Sequence, residues 1–170
     1  MGGFRAAQMR DVVPGEPLDV GVLPYFDLDP PPSKYLVAGG EVLFRSRGEK
    51  NTASVVSMAD APAAAILPLI ILRPDKKWLL PEYLAWAINR RQAQQFLEAS
   101  AQGQTIRMIP KSVLEQLEIP LPNLEAQHQI VAINELARRE GSLLHRLADC
   151  REQLASLLLD QRAQLASQQD

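Results

Sequence analysis

The most regular hydrophobic pattern in the sequence lies at its C-terminal end. From Leu124 onward, apolar residues recur at alternating spacings of three and four, which is typical of a helix whose apolar seam packs against another helix. The seam consists of Ile133, Leu136, Leu143, Leu147, Cys150, Leu154 and Leu157, and Leu144, Leu158 and Leu165 widen it. Pro120 and Pro122 keep the preceding residues extended, and Asn123 can cap the first turn. We therefore predict a helix that begins at about residue 124.

The length of this helix predicts a partner for it. Continued to about Ser167, it would be roughly 65 Å long at ~1.5 Å per residue, longer than the domain that precedes it is wide. Its apolar stripe would then be covered by a second helix; the alternative is an amphipathic helix that folds onto its own domain. Glu140 interrupts the seam and Gly141 is a poor helix former, so a break near residues 139–142 is also compatible with the pattern.

Short strand and helix signals alternate irregularly before this helix. Strands are predicted at Val12–Val13, Val20–Leu23, Tyr25–Phe26, Tyr35–Ala38, Glu41–Phe44, Ala53–Met58, Ala63–Leu72 and Ile106–Ile109, with a tight turn at Gly39-Gly40. The run from Ala63 to Leu72 is expected to be buried on both faces. Helices are predicted from Pro81 to about Glu98 and, briefly, after Pro110. Because no regular β-α-β alternation is visible, we predict an α+β mixed-sheet domain over residues 1–121, followed over 122–170 by a long C-terminal coiled-coil helix.

Composition and charge narrow the class of protein. The 170 residues carry 18 Lys and Arg against 20 Asp and Glu, and residues 1–120 carry 13 of each. A neutral leading domain argues against a whole-surface polyanion binder but allows a local basic face. The single Cys150 suits a reducing compartment, and its place on the seam favours burial. We recognise no signal peptide, and the longest apolar run is too short to span a bilayer, so we expect a cytoplasmic protein that binds no membrane.

The sequence shows no catalytic or metal-binding motif. The glycines match neither a phosphate-binding loop nor a dinucleotide fingerprint. His128 and His145 lie outside metal-pair spacing, and no serine sits in a nucleophile elbow. We therefore expect no metal site, no cofactor held by this chain and no catalytic activity of its own.

Two polar loops contain residues of the kind that contact nucleic acids. The first contains Arg45, Ser46, Arg47, Lys50, Asn51 and Thr52, and the second contains Gln104, Thr105 and Arg107. Guanidinium groups can bind guanine edges or phosphates, and amides can read adenine. Cations elsewhere, at Lys76, Lys77, Arg90 and Arg91, are suited to backbone contacts that position DNA without specifying it. For any one of these residues taken alone, a solvated surface position is the better account.

Three segments resemble the specificity subunits of type I restriction-modification systems. Residues 40–48, Gly-Glu-Val-Leu-Phe-Arg-Ser-Arg-Gly, are similar to the family's G-D-V-L-F-S-S-R-G segment. Residues 81–89 resemble a helix of its target recognition domains. Gly103 to Ile106, followed by residues 119–131, are similar to its I-P-L-P-P-L-E-E-Q-x-x-I-V signature, which leads into the spacer helix. Glu41 and Asn123 depart mildly from the Asp and Pro of these patterns.

The resemblance implies a function and partners. Such subunits usually carry two target recognition domains, whose spacer helices pair antiparallel as a ruler. This chain looks like a half-length form with one target recognition domain, so a homodimer would read a split symmetric DNA sequence. Methyltransferase subunits, which bring S-adenosylmethionine, and a restriction subunit are the implied partners. Two alternatives stay open: a coiled-coil interaction protein that docks on methyltransferase subunits without binding DNA, and a self-sufficient enzyme with its own S-adenosylmethionine site.

Overall fold

A computed structural model describes residues 3–27, 29, 31–48, 50–57, 62–101 and 107–167, with side chains up to residue 164. In these ranges, strands β1 to β7 are Phe4–Ala7, Tyr25–Phe26, Leu36–Val37, Val42–Arg45, Ala53–Val55, Ala63–Ala65 and Leu69–Leu72. Helices α1 to α4 are Pro81–Asn89, Arg91–Ser100, Lys111–Leu114 and Leu124–Ser167. Short 3-10 turns occupy Met9–Asp11, Val20–Val22 and Ser33–Tyr35.

The strands form two sheets. One has the order β2-β1-β6-β3, with β1 parallel to β6 and the other neighbours antiparallel. The second has the order β5-β4-β7 and is antiparallel throughout. Mixed sheets followed by a long C-terminal helix confirm the predicted α+β class.

Strand β4 lies between two hydrophobic cores because its side chains alternate. Leu43 packs with the core beside the four-stranded sheet, together with Val37 and Leu69. Val42 and Phe44 point to the opposite face and pack with residues of α1, α2 and α3. A central strand covered on both faces shows a continuous apolar run instead of an alternating one, and Val42, Leu43 and Phe44 are all fully buried.

The apolar run from Ala63 to Leu72 differs from its prediction. It forms two strands in different sheets, separated by a turn in which the Leu69 amide bonds the Ile66 carbonyl at 3.1 Å. Pro68 has no N–H to continue a strand ladder. Strand β6 is buried, but β7 is an edge strand of its sheet and three of its four residues are only half-buried. Burial on both faces is therefore wrong for β7.

The predicted helix from Pro81 to Glu98 is broken at Arg90, whose ψ of 151° is extended. Side chains bond the backbone groups released by the break. The Gln94 amide donates to the Ile88 carbonyl at 2.8 Å, and the Asn89 amide turns away to bond Ala53 on β5. Sequence periodicity does not reveal such a break because Arg90 is a good helix former.

Other predicted strands are only partly formed. Leu36–Val37 and Val42–Arg45 flank the predicted tight turn, in which Gly40 has a left-handed φ of 79°, but they belong to different sheets. The segment Val20–Val22 is a 3-10 turn capped by the Asp19 carboxylate, which corrects the strand prediction there. Near Ile109, where Ile106 lies outside the described residues, the structure has a single β-bridge at Met108.

The start of α4 is as predicted. The Asn123 side chain accepts the Ala126 amide at 2.9 Å, which satisfies one free donor of the first turn. The helix is continuous from Leu124 to Ser167, with no break at Gly141. The chain divides into two compact units, Met1–Val131 and Ala132–Asp170, so the first two turns of α4 belong to the first unit. The division of the sequence at residue 121 stays a prediction about domains.

Candidate nucleic-acid interface

Backbone pairing brings Arg107, of the second predicted polar loop, to the first loop at one end of the three-stranded sheet. The segment after β4 pairs with residues 107–109 through an antiparallel bridge between Arg47 and Met108. The Gly48 amide bonds the Arg107 carbonyl at 3.1 Å, and the Ile109 amide bonds the Ser46 carbonyl at 2.7 Å. Arg107 is therefore fixed beside the loop that contains Arg45 and Arg47, although some 60 residues separate them in sequence.

The cations of this cluster differ in their surroundings. Arg47, Lys50 and Arg107 are exposed, whereas Arg45 is half-buried and its Nε donates to the Arg47 carbonyl at 3.1 Å. Within the described ranges, none of the four forms a salt bridge. Positive charge attracts polyanions, so this end of the sheet is suited to a nucleic-acid backbone. Glu49, which lies between Gly48 and Lys50 in the sequence, is outside the described residues.

Three predicted contact residues lie inside the domain. Ser46, Asn51 and Thr52 are 2%, 5% and 6% exposed. Ser46 Oγ donates to the Pro68 carbonyl, Asn51 Nδ2 donates to the Arg45 carbonyl at 3.2 Å, and Thr52 Oγ1 donates to the Val12 carbonyl. Buried polar groups need such partners, so a structural role is a sufficient account of all three residues.

The junction between α1 and α2 lies against the same end of the sheet. The Asn89 side chain exchanges two hydrogen bonds with the backbone of Ala53, at 2.9 and 2.7 Å. Gln94 Nε2 donates to the Asn51 carbonyl at 2.8 Å. Arg90 is the residue between the two helices and Arg91 begins α2; both were predicted to contact the DNA backbone. Arg91 is exposed, and the Nε of Arg90 is buried without a hydrogen-bond partner in the described part of the chain.

Lys76 and Lys77 lie at the opposite end of the sheet from the arginine cluster. Lys76 Nζ is beside Gly40, which precedes β4, whereas Arg45 ends that strand. A strand of four residues separates its ends by about 10 Å. These two lysines are therefore not part of the arginine cluster.

The first turns of α4 are attached at this lysine-bearing end. Gln127, fully buried, accepts the Leu80 amide at 2.9 Å and donates to the carbonyls of Trp78 and Pro122 at 2.8 Å each. The Tyr83 hydroxyl donates to the Pro120 carbonyl at 2.8 Å. The arginine cluster and the attachment of α4 thus lie at opposite ends of the first unit.

Asn89 and Gln94, which bond this end of the sheet, were missed from the sequence; both read as ordinary helix positions, whose only signal is an amide beside apolar neighbours on a buried helix face. Gln127, at the opposite end, lies within the signature segment of residues 119–131, but no role was predicted for it. Gln104 and Thr105, predicted to contact DNA, fall outside the described residues.

The apolar seam of the second unit is exposed in the single chain. The predicted dimerisation residues Ile133, Leu136, Leu143, Leu147, Leu154 and Leu157 are 49–67% exposed. A groove of about 520 Å³ is lined by Leu136, Arg139, Glu140, Leu143, Leu144 and Leu147. Cys150, predicted to be buried on this seam, is exposed as well. An apolar stripe of this length is unusual for a surface that faces only water.

The described residues contain no group of His, Cys, Asp and Glu side chains placed to hold a metal ion. None of the described helices is long and apolar enough to cross a membrane.

The fold defines the class as an α+β domain followed by a long helix, with arginines grouped at one end of its three-stranded sheet. Residues 32–135 match the family described as type I restriction modification DNA specificity domain. Because this match covers more than half of the sequence, the chain belongs to that family.

A solved structure has the same fold. The crystal structure of the HsdS subunit from Thermoanaerobacter tengcongensis is similar with a TM-score of 0.65 and 17% sequence identity, over 85% of this chain and 38% of that one. The chain thus spans less than half the length of that subunit. No curated protein matches the sequence.

Proposed function

We propose that this chain is the non-catalytic DNA sequence-recognition subunit of a type I restriction-modification system. The observation that carries the proposal is the cluster of Arg45, Arg47 and Arg107, assembled from two distant loops by the pairing of residues 46–48 with 107–109. Guanidinium groups carried on neighbouring backbone segments suit phosphates and guanine edges. Membership of the specificity-domain family supports the same function.

The chain is further proposed to act as a homodimer on a split, symmetric target. Support comes from the exposed seam of the second unit, where leucines recur at heptad spacing on a helix that shows no break. Two such helices bury their leucines against each other when they pair. A two-fold dimer would present two identical recognition domains, separated by the paired helices, to two half-sites.

Its proposed protein partners are those of the family. A methyltransferase subunit would bring S-adenosylmethionine and the methyl-transfer chemistry, and a restriction subunit would complete the assembly. The separation of the arginine cluster from the attachment of α4 supports this division, because DNA and protein partners would then use different ends of the first unit.

A gel-shift titration at several salt concentrations tests DNA recognition. With the methyltransferase subunit present, binding should weaken steeply as salt rises, because phosphate contacts release counterions. The double variant Arg45→Ala with Arg47→Ala should bind at least about 10-fold more weakly. The matched control is Lys76→Ala with Lys77→Ala, which removes the same charge at the opposite end and should bind as the parent does. Equal losses in both variants, or binding insensitive to salt, would contradict the proposal.

One observation favours a second candidate function. The exposed seam is explained by protein pairing alone, and Ser46, Asn51 and Thr52 are occupied within the fold. A coiled-coil interaction protein that docks on methyltransferase subunits without contacting DNA would share these features. It predicts a complex of unchanged affinity in the Arg45 and Arg47 variant and no gel shift with any duplex.

A further inference from the structure

Both backbone polar groups of Arg45 are hydrogen-bonded within the domain. Its amide bonds the Thr52 carbonyl at 2.8 Å, and its carbonyl accepts Asn51 Nδ2 at 3.2 Å. The Asn51 carbonyl in turn accepts Gln94 Nε2 from α2 at 2.8 Å. These bonds tie the end of β4 to α2, so the position from which the Arg45 side chain departs is fixed.

The guanidinium group of Arg45 is also held. Its Nε donates to the Arg47 carbonyl at 3.1 Å, which restricts rotation of the group. Gly48, with a left-handed φ of 114°, makes room for it: a Cβ there would lie 2.7 Å from Arg45 Nη2. Nη1 and Nη2 have no hydrogen-bond partner in the part of the chain that the structure describes.

A fixed guanidinium with two unused terminal nitrogens matches a pair of acceptors in one plane. Guanine presents such a pair, N7 and O6, in the major groove, and bidentate contact by Arg is the commonest specific contact to a base. Because the group is ordered before binding, little side-chain entropy is lost when the contact forms. Exposed arginines without such restraints suit phosphates, which tolerate variable geometry and carry no sequence information.

Resting on the proposed function, we propose a division of labour: Arg45 reads a guanine of the DNA target, and Arg47 and Arg107 hold the phosphate backbone. Each half-site therefore contains at least one guanine whose recognition depends on Arg45. Gly48 is a positioning residue, since it leaves space for the guanidinium group.

Selection from a randomised duplex library, using the full chain bound to its methyltransferase subunit, tests this division. The parent should enrich a sequence with an invariant guanine in each half-site. Arg45→Ala should lose the preference at that one position and keep the others. Arg45→Lys keeps the charge but lacks the planar fork, so it should weaken the preference at the same position only. Affinity for the selected duplex should fall about 5- to 100-fold, and affinity for the same duplex with that guanine replaced should be unchanged.

Two single variants of Arg107, Arg107→Lys and Arg107→Ala, serve as matched controls. Arg107→Ala should weaken binding to all duplexes by the same factor and reduce the salt dependence, while both variants keep the parent's base preferences. Circular dichroism and thermal melting should show that the Arg45→Lys protein is folded like the parent.

Other results would overturn the inference. If Arg45→Lys and Arg45→Ala lower the affinity for all duplexes by the same factor, Arg45 contacts phosphate and not a base. If both variants keep the parent's affinity and every base preference, Arg45 does not contact DNA. Failure of the proposed function is visible separately, because the parent itself would then enrich no sequence, and the assignment of Arg45 would fall with it.

Discussion

The side chain of Gln127 accepts the backbone amide of Leu80 at 2.9 Å, across 47 residues of sequence. Leu80 is the N-cap residue of α1, and its own apolar side chain makes no capping hydrogen bond. The same Gln127 amide donates to the carbonyls of Trp78 and Pro122. One buried side chain therefore joins the start of α1, the turn before it and the first turns of α4, which explains physically why a glutamine stands at this place in the signature segment.

Replacing Gln127 by Ala should destabilise the first unit. Three partly buried backbone groups would lose their partner, and each such loss costs about 1–3 kcal/mol when water cannot replace it. Allowing for partial solvation, we expect the free energy of unfolding to fall by about 2–4 kcal/mol, measured by urea denaturation. Gln129→Ala is the control, because Gln129 is exposed on the same helix and its removal should change stability little. Equal stability of the two variants would contradict the role assigned to Gln127.

Gln94→Ala should loosen the loop that carries Arg45. Gln94 bonds the carbonyls of Asn51 and Ile88, so its truncation should lower stability by about 1–2 kcal/mol. Hydrogen exchange should speed up at the amides of Arg45 and Ala53 more than elsewhere in the three-stranded sheet. Gln95→Ala, at the exposed neighbouring position, should leave both measurements unchanged. Uniform acceleration over the whole unit would instead indicate a global effect.

The C-terminal helix was predictable from sequence because its signals are local. Two prolines, one capping asparagine and a heptad pattern lie within a continuous segment, and each acts on its immediate neighbours. The start at Leu124 follows from them, whereas the continuity of the helix through Gly141 was left open by the sequence and is shown by the structure. The α+β class was predictable for the same reason, since it depends on the kinds of element and not on their pairing.

The sheets and half of the candidate site depended on distant contacts. The separation of β3 from β4, and of β6 from β7, is decided by which strands pair, which local pattern does not encode. Polarity alone placed Asn51, Thr52 and Ser46 on the surface, but hydrogen bonds to distant backbone carbonyls make their burial favourable. The meeting of Arg45 with Arg107 follows from pairing between residues 46–48 and 107–109, which only the folded chain shows.

Gly141→Ala should stabilise α4. A Cβ at this position would meet no atom outside its own helix within 4 Å in the single chain, and alanine is favoured over glycine in a helix interior by about 1 kcal/mol. Position 141 is also off the seam, one residue after Glu140. The thermal midpoint of the helical signal should rise while the mass in solution stays that of the parent. A loss of the dimer would show instead that a second helix approaches closely at Gly141.

Charges placed on the seam should separate the proposed dimer. Leu143→Glu together with Leu154→Glu puts two carboxylates where leucines of 53% and 58% exposure would be buried by a partner helix; an unpaired buried charge is too unfavourable to be retained. Sedimentation should give twice the chain mass for the parent and the single mass for this variant. Ala148→Glu with Ala155→Glu adds the same charge at heptad positions off the seam, and that protein should stay dimeric. If the seam variant keeps the parent's mass, or the parent itself sediments as a monomer, the paired-helix spacing between two recognition domains must be abandoned.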